Sequence, residues 1–175
     1  MGDGVEGREA HESFMPVGFR LLAAEFLSAA GDIQVIGDYS TVKSFLYCKS
    51  IELSLKAFLL AKKVPVSRFK GRKGIGHDLE RAMKEAELQG LADIVDIPVA
   101  YKEEIRKANL YYVTKQGFEY IDNYEVLMRW RSVSDFPSIE VLSEFASSLV
   151  DKLSEVCMEA TWDLIEKAKE KKRSG

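Results

Sequence analysis

The run from Thr41 to Lys63 constrains the fold more than any other part of the chain. It contains neither glycine nor proline and is rich in Leu, Ala, Lys and Glu, which favour helices. It ends before Val64–Pro65, because a residue that precedes proline disfavours the helical conformation. The apolar residues of this run cover more than one face of the predicted helix: Val42, Phe45, Leu46, Ile51, Leu53, Leu55, Phe58 and Leu59. A helix that is apolar on most sides is surrounded by neighbours, so the run predicts the central helix of an all-α protein.

Four further segments carry the spacing or the end signals of helices. Apolar residues three and four apart predict a helix from Met15 to Ala30. Asp78 is a good N-cap for a helix that stops at Gly90. Pro98 opens another helix, and Pro137–Ser138 opens a long final one. The connections are short, so we expect an up-and-down bundle of four to five helices.

Residues 117–128 interrupt the helical pattern. The pattern around Asp122–Asn123, which can form a two-residue turn, is an alternation of Phe118, Tyr120, Tyr124 and Val126. We therefore expect a small irregular or hairpin insert near 117–128. The length of 175 residues suits one domain. We expect a flexible tail over residues 1–14, a single helical domain over 15–170 and a basic tail over 171–175.

The composition narrows the class of protein. The net charge of −3 argues against a surface that is positive throughout and binds nucleic acid indiscriminately, although a local basic patch is compatible with it. The two cysteines, Cys48 and Cys157, form no disulfide framework, and we expect both to be core thiols. The acidic start is unlike a signal peptide, and no stretch approaches the roughly 20 apolar residues of a membrane span. We expect a cytoplasmic protein.

The segment between Lys62 and Lys73 is the most informative one for function. It contains six basic residues and no acidic one: Lys62, Lys63, Arg68, Lys70, Arg72 and Lys73. Nearby glycines allow close approach of the backbone to a ligand, and the amides of a helix N-terminus follow. The pattern predicts contact with a phosphate or with a nucleic-acid backbone. The alternative is a solvated loop whose first lysines offset the dipole of the preceding helix.

Two titratable residues and a group of aromatic residues are further candidates. His77 could act in acid–base chemistry, although a ring packed against the bundle is the more frequent role of a lone histidine. Glu52 lies between Lys49 and Lys56, which predicts either a buried carboxylate with a shifted pKa or an intrahelical i,i+4 pair. The aromatic residues either stack bases or pack in the core: Tyr111, Tyr112, Phe118, Tyr120 and Tyr124. The spacing of ligand residues predicts no metal site, and we expect no cofactor.

Three short segments together resemble a known family. They are the run from Ser50 to Lys62, with its E-x-x-L-K-A order, the Gly76–Leu79 segment that reads GHDL, and the Ala86–Leu91 segment. This pattern resembles the HEPN family (higher eukaryote and prokaryote nucleotide-binding domains) in its bacterial or archaeal form that contains GHDL. The stretch from Asn109 to Tyr112, with Tyr120 beyond it, is similar to the family's fourth-helix region.

The resemblance implies a helical bundle that commonly forms homodimers and works in toxin–antitoxin, phage-defence or RNA-processing settings. Many family members are metal-independent endoribonucleases that use an Arg and a His from both subunits across a dimer cleft. Others lack that pair and act as binding or scaffold modules, often beside a nucleotidyltransferase. In this chain Arg72 and His77 have the family's spacing. They precede the third helix, however, whereas the family's pair opens a late helix.

We therefore expect a non-catalytic module of HEPN type that contacts nucleotide or RNA phosphate through the loop 62–77. The first alternative is an endoribonuclease that uses Arg72 and His77 across a dimer cleft. The second is a protein–protein interaction scaffold.

Overall fold

The fold is known from a computed structural model that describes residues 15–35, 39–70, 74–113, 117–118 and 136–173. These ranges contain six α-helices and no strand. The helices are α1 (Pro16–Asp32), α2 (Thr41–Ala61), α3 (Leu79–Leu88), α4 (Val99–Tyr112), α5 (Ile139–Lys152) and α6 (Ser154–Arg173). Two short 3₁₀ turns, Val66–Phe69 and Leu91–Asp93, flank α3. The all-α prediction is confirmed.

Two predicted features fall outside the described residues. The tail over residues 1–14 does so entirely, and so does the predicted insert near 117–128 apart from Gly117 and Phe118. Helix α6 continues to Arg173, into the range 171–175 that the sequence pattern treats as a tail.

Side-chain oxygens cap the starts of three helices, two of which, at Asp78 and Ser138, are predicted from the sequence. Ser40 accepts a hydrogen bond from the amide of Lys43 at 3.2 Å, and Asp78 accepts one from Arg81 at 3.0 Å. The hydroxyl of Ser138 accepts one from the amide three residues later at 3.2 Å. Each cap satisfies an amide that lacks a partner inside its helix. Asp78 matters most for function, because it fixes the start of α3 beside the basic loop.

Helix α2 is the centre of the bundle. Every residue from Ser50 to Leu59 is buried, and α2 contacts each of the other five helices. Phe58, Leu55 and Ile51 are fully buried in the main core. The prediction of a central helix is confirmed, and α2 therefore carries polar residues such as Glu52 into the interior.

The long final helix of the prediction is divided at Leu153 into α5 and α6. Arg20 of α1 donates from Nε to the carbonyl oxygen of Val150 at 3.0 Å. In a continuous helix the same carbonyl oxygen would accept a hydrogen bond from the amide of Ser154. A side chain that hydrogen-bonds to a backbone carbonyl in this way is a known cause of helix breaks. The contact with Arg20 explains why the predicted final helix is divided into two.

Candidate functional site

Three polar side chains of α2 meet in the interior of the bundle. Glu52 is 1% exposed, and its Oε1 lies 2.5 Å from Nζ of Lys56. Its Oε2 lies 3.2 Å from Nζ of Lys49, which is more accessible. The i,i+4 pair expected from the sequence therefore forms, and it forms around a buried carboxylate. The two alternatives for Glu52 are both realised in one arrangement.

Two residues from outside α2 complete this arrangement. The hydroxyl of Tyr112, at the end of α4, donates to Oε2 of Glu52. Nδ1 of His77, from the loop before α3, lies 3.2 Å from each carboxylate oxygen. We call Lys49, Glu52, Lys56, His77 and Tyr112 the Glu52 cluster. A buried charge requires such a set of partners, because an unpaired carboxylate in the interior is strongly unfavourable.

The pKa of Glu52 reflects this balance. Burial alone would raise the pKa, but the charge and the hydrogen bond of Lys56, with further help from Tyr112 and Lys49, lower it to about 2. Burial and the neighbouring carboxylate raise the pKa of Tyr112 well above its usual range, so the phenol keeps its proton. The cluster therefore holds an ionised carboxylate at neutral pH, with a phenol that serves as its donor.

His77 lies at the outer edge of the cluster. Its side chain is 69% exposed, so the ring is not packed into the bundle as a lone histidine often is. An ionised carboxylate only accepts hydrogen bonds, so Nδ1 of His77 must be the donor. Nε2 is then the nitrogen left to accept a proton or a hydrogen bond from a ligand. The arrangement is chemically that of an imidazole oriented by a carboxylate.

Asn109 of α4 fixes the segment that carries His77. Its Oδ1 accepts from the amide of Leu79 at 2.8 Å, and its Nδ2 donates to Oδ1 of Asp78 at 3.1 Å. Asn109 is buried, so these contacts hold the start of α3 against α4. Sequence reasoning missed this role because the two partners are 30 residues apart. The only signal is that the resemblance to the family includes Asn109.

The basic loop is anchored by two apolar side chains. Phe69 and Ile75 are both buried, and the amide of Ile75 donates to the carbonyl of Arg68 at 2.9 Å. A Cβ on Gly74 would lie 2.3 Å from the carbonyl oxygen of Lys70, so only glycine fits there. Glycine at position 74 thus allows the backbone there to pass close to the backbone of Lys70. The described flanks of the loop, up to Lys70 and from Gly74 onward, are thus held against the bundle by Phe69 and Ile75.

A pocket of about 240 Å³ lies between this loop and α3. Its charged lining consists of Arg68 from the loop and Arg81, Lys84 and Glu85 from α3, with Gly74, Ile75 and Leu88 completing the wall. We call it the Arg68 pocket. Arg68 Nη2 lies 3.2 Å from Oε2 of Glu85, and this pair is partly exposed. The lining contains three cations and one carboxylate, and Asp78, which is not part of the lining, pairs with Arg81 at 3.0 Å. The pocket and its immediate partners therefore keep an excess of one positive charge.

The predicted phosphate-binding residues divide into three groups. Arg68 lines the pocket. The exposed lysines that precede and follow Arg68 in the sequence are Lys62, Lys63 and Lys70. Nζ of Lys62 lies 5.4 Å from the centre of the Phe58 ring. Arg72 and Lys73 lie outside the described residues. The sequence prediction did not include Arg81 and Lys84, although their spacing of three on a predicted helix places them on one face.

Tyr111 and the two cysteines pack in the core, whereas Tyr120 and Tyr124 lie outside the described residues. Tyr111 is buried, with its ring centre 5.2 Å from that of Phe136, which supports core packing over base stacking for this residue. Cys48 and Cys157 are fully buried, as expected. Burial raises the pKa of the Cys157 thiol to about 12 and raises the pKa of Cys48 still further. Neither thiol is activated for nucleophilic chemistry.

Two kinds of feature are absent from the part of the chain that the structure describes. No group of three or more His, Cys, Asp or Glu residues there is arranged to hold a metal ion. No helix within the same ranges combines the length and the apolar character needed to cross a membrane.

The fold and the site define a helical bundle that carries a buried ionic cluster and an adjacent basic pocket. Comparison with family models, with curated proteins and with solved structures finds no match for this chain. Function is therefore inferred from the geometry of these two features and from the resemblance of the sequence segments.

Proposed function

We propose that this chain is a binding module that holds the phosphate of RNA or of a nucleotide in the Arg68 pocket and along the loop 62–77. The convergence of Arg68, Arg81 and Lys84 on one pocket carries the proposal. Guanidinium groups match phosphate oxygens with two parallel hydrogen bonds, and a lysine adds a point charge. The exposed lysines of the loop would extend this field along a nucleic-acid backbone.

Glu85 competes with a phosphate for Arg68 but does not exclude it. Its carboxylate accepts from Arg68 in a partly exposed pair, and such pairs contribute about 1 kcal/mol or less to stability. The terminal phosphate of a nucleotide bears more charge than a carboxylate and offers more acceptor oxygens. A backbone phosphate of RNA bears a single charge, as the carboxylate does, so RNA would compete through several phosphates at once.

The biological setting of the proposal comes from the resemblance to the HEPN family. We propose a toxin–antitoxin or defence setting, a homodimeric state and a partner protein such as a nucleotidyltransferase. Identification of the neighbouring genes tests the setting, and co-purification from the native host tests the partner protein.

Neutralising the pocket is expected to weaken RNA binding at least tenfold at low salt. The triple variant Arg68→Ala, Arg81→Ala, Lys84→Ala removes three cations that face the ligand. For single-stranded RNA, the slope of log K against log salt should become shallower by about 2. The measurement is fluorescence anisotropy of a labelled RNA oligonucleotide over a series of salt concentrations.

A second triple variant provides the matched control for lost charge. Arg106→Ala, Lys152→Ala and Lys167→Ala remove three exposed cations from other surfaces, and binding should stay within about twofold of the native protein. A mononucleotide that displaces the labelled RNA would show that a single nucleotide is sufficient for binding. A mononucleotide that fails to displace it would identify a polynucleotide as the ligand. Equal losses in both triple variants, or no binding to either ligand, would refute the pocket.

A metal-independent endoribonuclease is the second candidate function. The exposure of His77 and its contact with Glu52 favour it. The exposed imidazole is held by Glu52 through Nδ1, which leaves Nε2 to take the proton of a 2′-hydroxyl. Arg72 would stabilise the negative charge that develops on the phosphate. The structure does not describe Arg72, so the pair stays a prediction.

The nuclease candidate predicts EDTA-resistant cleavage of labelled RNA that His77→Ala reduces by at least about a hundredfold. RNA affinity should fall far less than the rate of cleavage, because the Arg68 pocket, which His77 does not line, stays intact. Cleavage that persists in the variant would point to a contaminant, and intact RNA with the native protein would leave the binding module as the function.

A further inference from the structure

The exposed side of α6, continued by Asp151 at the end of α5, carries a regular pattern. Seven residues follow one another at intervals of four, three, four, four, three and four positions: Asp151 of α5 and Glu155, Met158, Trp162, Glu166, Lys169 and Arg173 of α6. All seven are exposed. Intervals of three and four keep the six residues of α6 on one helix face, and Asp151 lines one groove with Glu155, Met158 and Trp162. We call these residues the outer stripe.

The centre of the outer stripe is apolar. Trp162 is 57% exposed and Met158 is 47% exposed, and a shallow groove of about 550 Å³ runs along this stretch. Tryptophan is enriched among the residues that contribute most to protein interfaces. Large apolar side chains that adjoin in this way on a surface indicate an interaction site more often than single ones do.

The end of α6 presents an accessible surface. Every residue from Glu166 to Arg173 is exposed, and the segment is helical to its end. A partner along the outer stripe could therefore reach the whole of this length.

The outer stripe carries acidic residues before Trp162 and basic residues toward the end of α6. Asp151 and Glu155 precede it by eleven and seven positions, whereas Lys169 and Arg173 follow it at the same distances. An antiparallel second copy with its two-fold axis at Trp162 would place Glu155 opposite Lys169 of the other copy. A parallel copy would place like charges together, so the pattern selects the antiparallel arrangement.

We propose that the outer stripe binds a second copy of this chain, with the two α6 helices antiparallel and Trp162 at the two-fold axis. Trp162 packs against its own symmetry mate, and each end of the pairing carries two opposite-charge pairs. Glu166 falls opposite Met158 and meets no like charge. This inference gives a location to the homodimer included in the proposed function. It does not depend on phosphate binding, because the Arg68 pocket is formed by the loop and α3.

A charge swap tests the proposal. Glu155→Lys and Lys169→Glu should each weaken dimerisation about tenfold, because each turns two attractive pairs of the dimer into repulsive ones. The double variant, with both changes in one chain, restores opposite charges and should return to within about threefold of the native dissociation constant. Sedimentation equilibrium measures the constants, and circular dichroism checks that each variant is folded.

Glu103→Lys on the exposed side of α4 is the control for a change of charge alone, and it should leave the dimer unchanged. A native chain that stays monomeric at all concentrations would overturn the proposal, and the stripe would then belong to a different protein partner. A dimer that is insensitive to both single changes, or a double variant as weak as the singles, would overturn it as well. Loss of RNA binding in the pocket variant has no bearing on this result, so the two proposals fail separately.

Discussion

Replacing Glu52 with alanine is expected to lower the free energy of unfolding by about 3 to 5 kcal/mol. Lys56 is buried beside Glu52, and the substitution leaves its ammonium group in the interior without a counter-charge. The hydroxyl of Tyr112 and Nδ1 of His77 lose their acceptor at the same time. Unfolding in urea, followed by circular dichroism, measures the change as a lower midpoint at an unchanged m-value.

Two further variants show that the effect comes from the buried pair. Lys49 is the more accessible partner of Glu52, so Lys49→Ala should cost about 1 kcal/mol or less. The double variant Glu52→Leu with Lys56→Met should recover most of the loss, because an apolar pair of similar volume replaces two buried charges. A cost below about 1 kcal/mol for Glu52→Ala would contradict a buried, fully paired carboxylate.

Acid is expected to remove about 3 kcal/mol of stability through Glu52 alone. The folded pKa is about 2, against an ordinary value of 4.5. The group therefore contributes its stability in full above its unfolded pKa and loses it as the pH falls through the folded pKa. The window of loss lies between these two values, and the sign is that of a carboxylate held in its ionised form.

Comparison with Glu52→Gln isolates this contribution from the other carboxylates. The glutamine does not titrate, so the difference in unfolding free energy between the two proteins should shrink as the pH is lowered from 5 toward 2. Urea unfolding at successive pH values measures it. A difference that stays constant over this range would mean that Glu52 keeps its ordinary pKa in the folded protein.

The central position of α2 could be predicted because one short segment contains all the information. Apolar residues on several faces require several neighbours, whatever those neighbours are. The helix cap at Asp78 was predictable for the same reason, since a cap involves residues only three positions apart. Local patterns therefore give the all-α class and most helix starts.

The composition of the Glu52 cluster could not be predicted, because its members are far apart in the sequence. Tyr112 is 60 residues from Glu52, and His77 is 25 residues from it. Helical periodicity predicts that Glu52 lies near Lys56. It does not predict which other segments contact these two side chains. The break at Leu153 has the same origin, since it depends on Arg20 of a distant helix.

The lining of the Arg68 pocket could be predicted only in part, for a related reason. Arg68 was included in the predicted basic loop, whereas Arg81 and Lys84 became relevant only when α3 folded back against that loop. Basic residues that are adjacent in the sequence need not lie on one surface of the folded protein. A ligand binds to residues that share a surface.

The central claim is that phosphate binds between the basic loop and α3, and the most direct test maps binding residue by residue. We expect titration with an RNA oligonucleotide to shift the amide resonances of Gly74, Arg81 and Lys84, in spectra of the uniformly ¹⁵N-labelled protein, with one common affinity. Shifts confined to the basic end of α6, or no shifts at the Arg68 pocket at saturating RNA, would contradict the account.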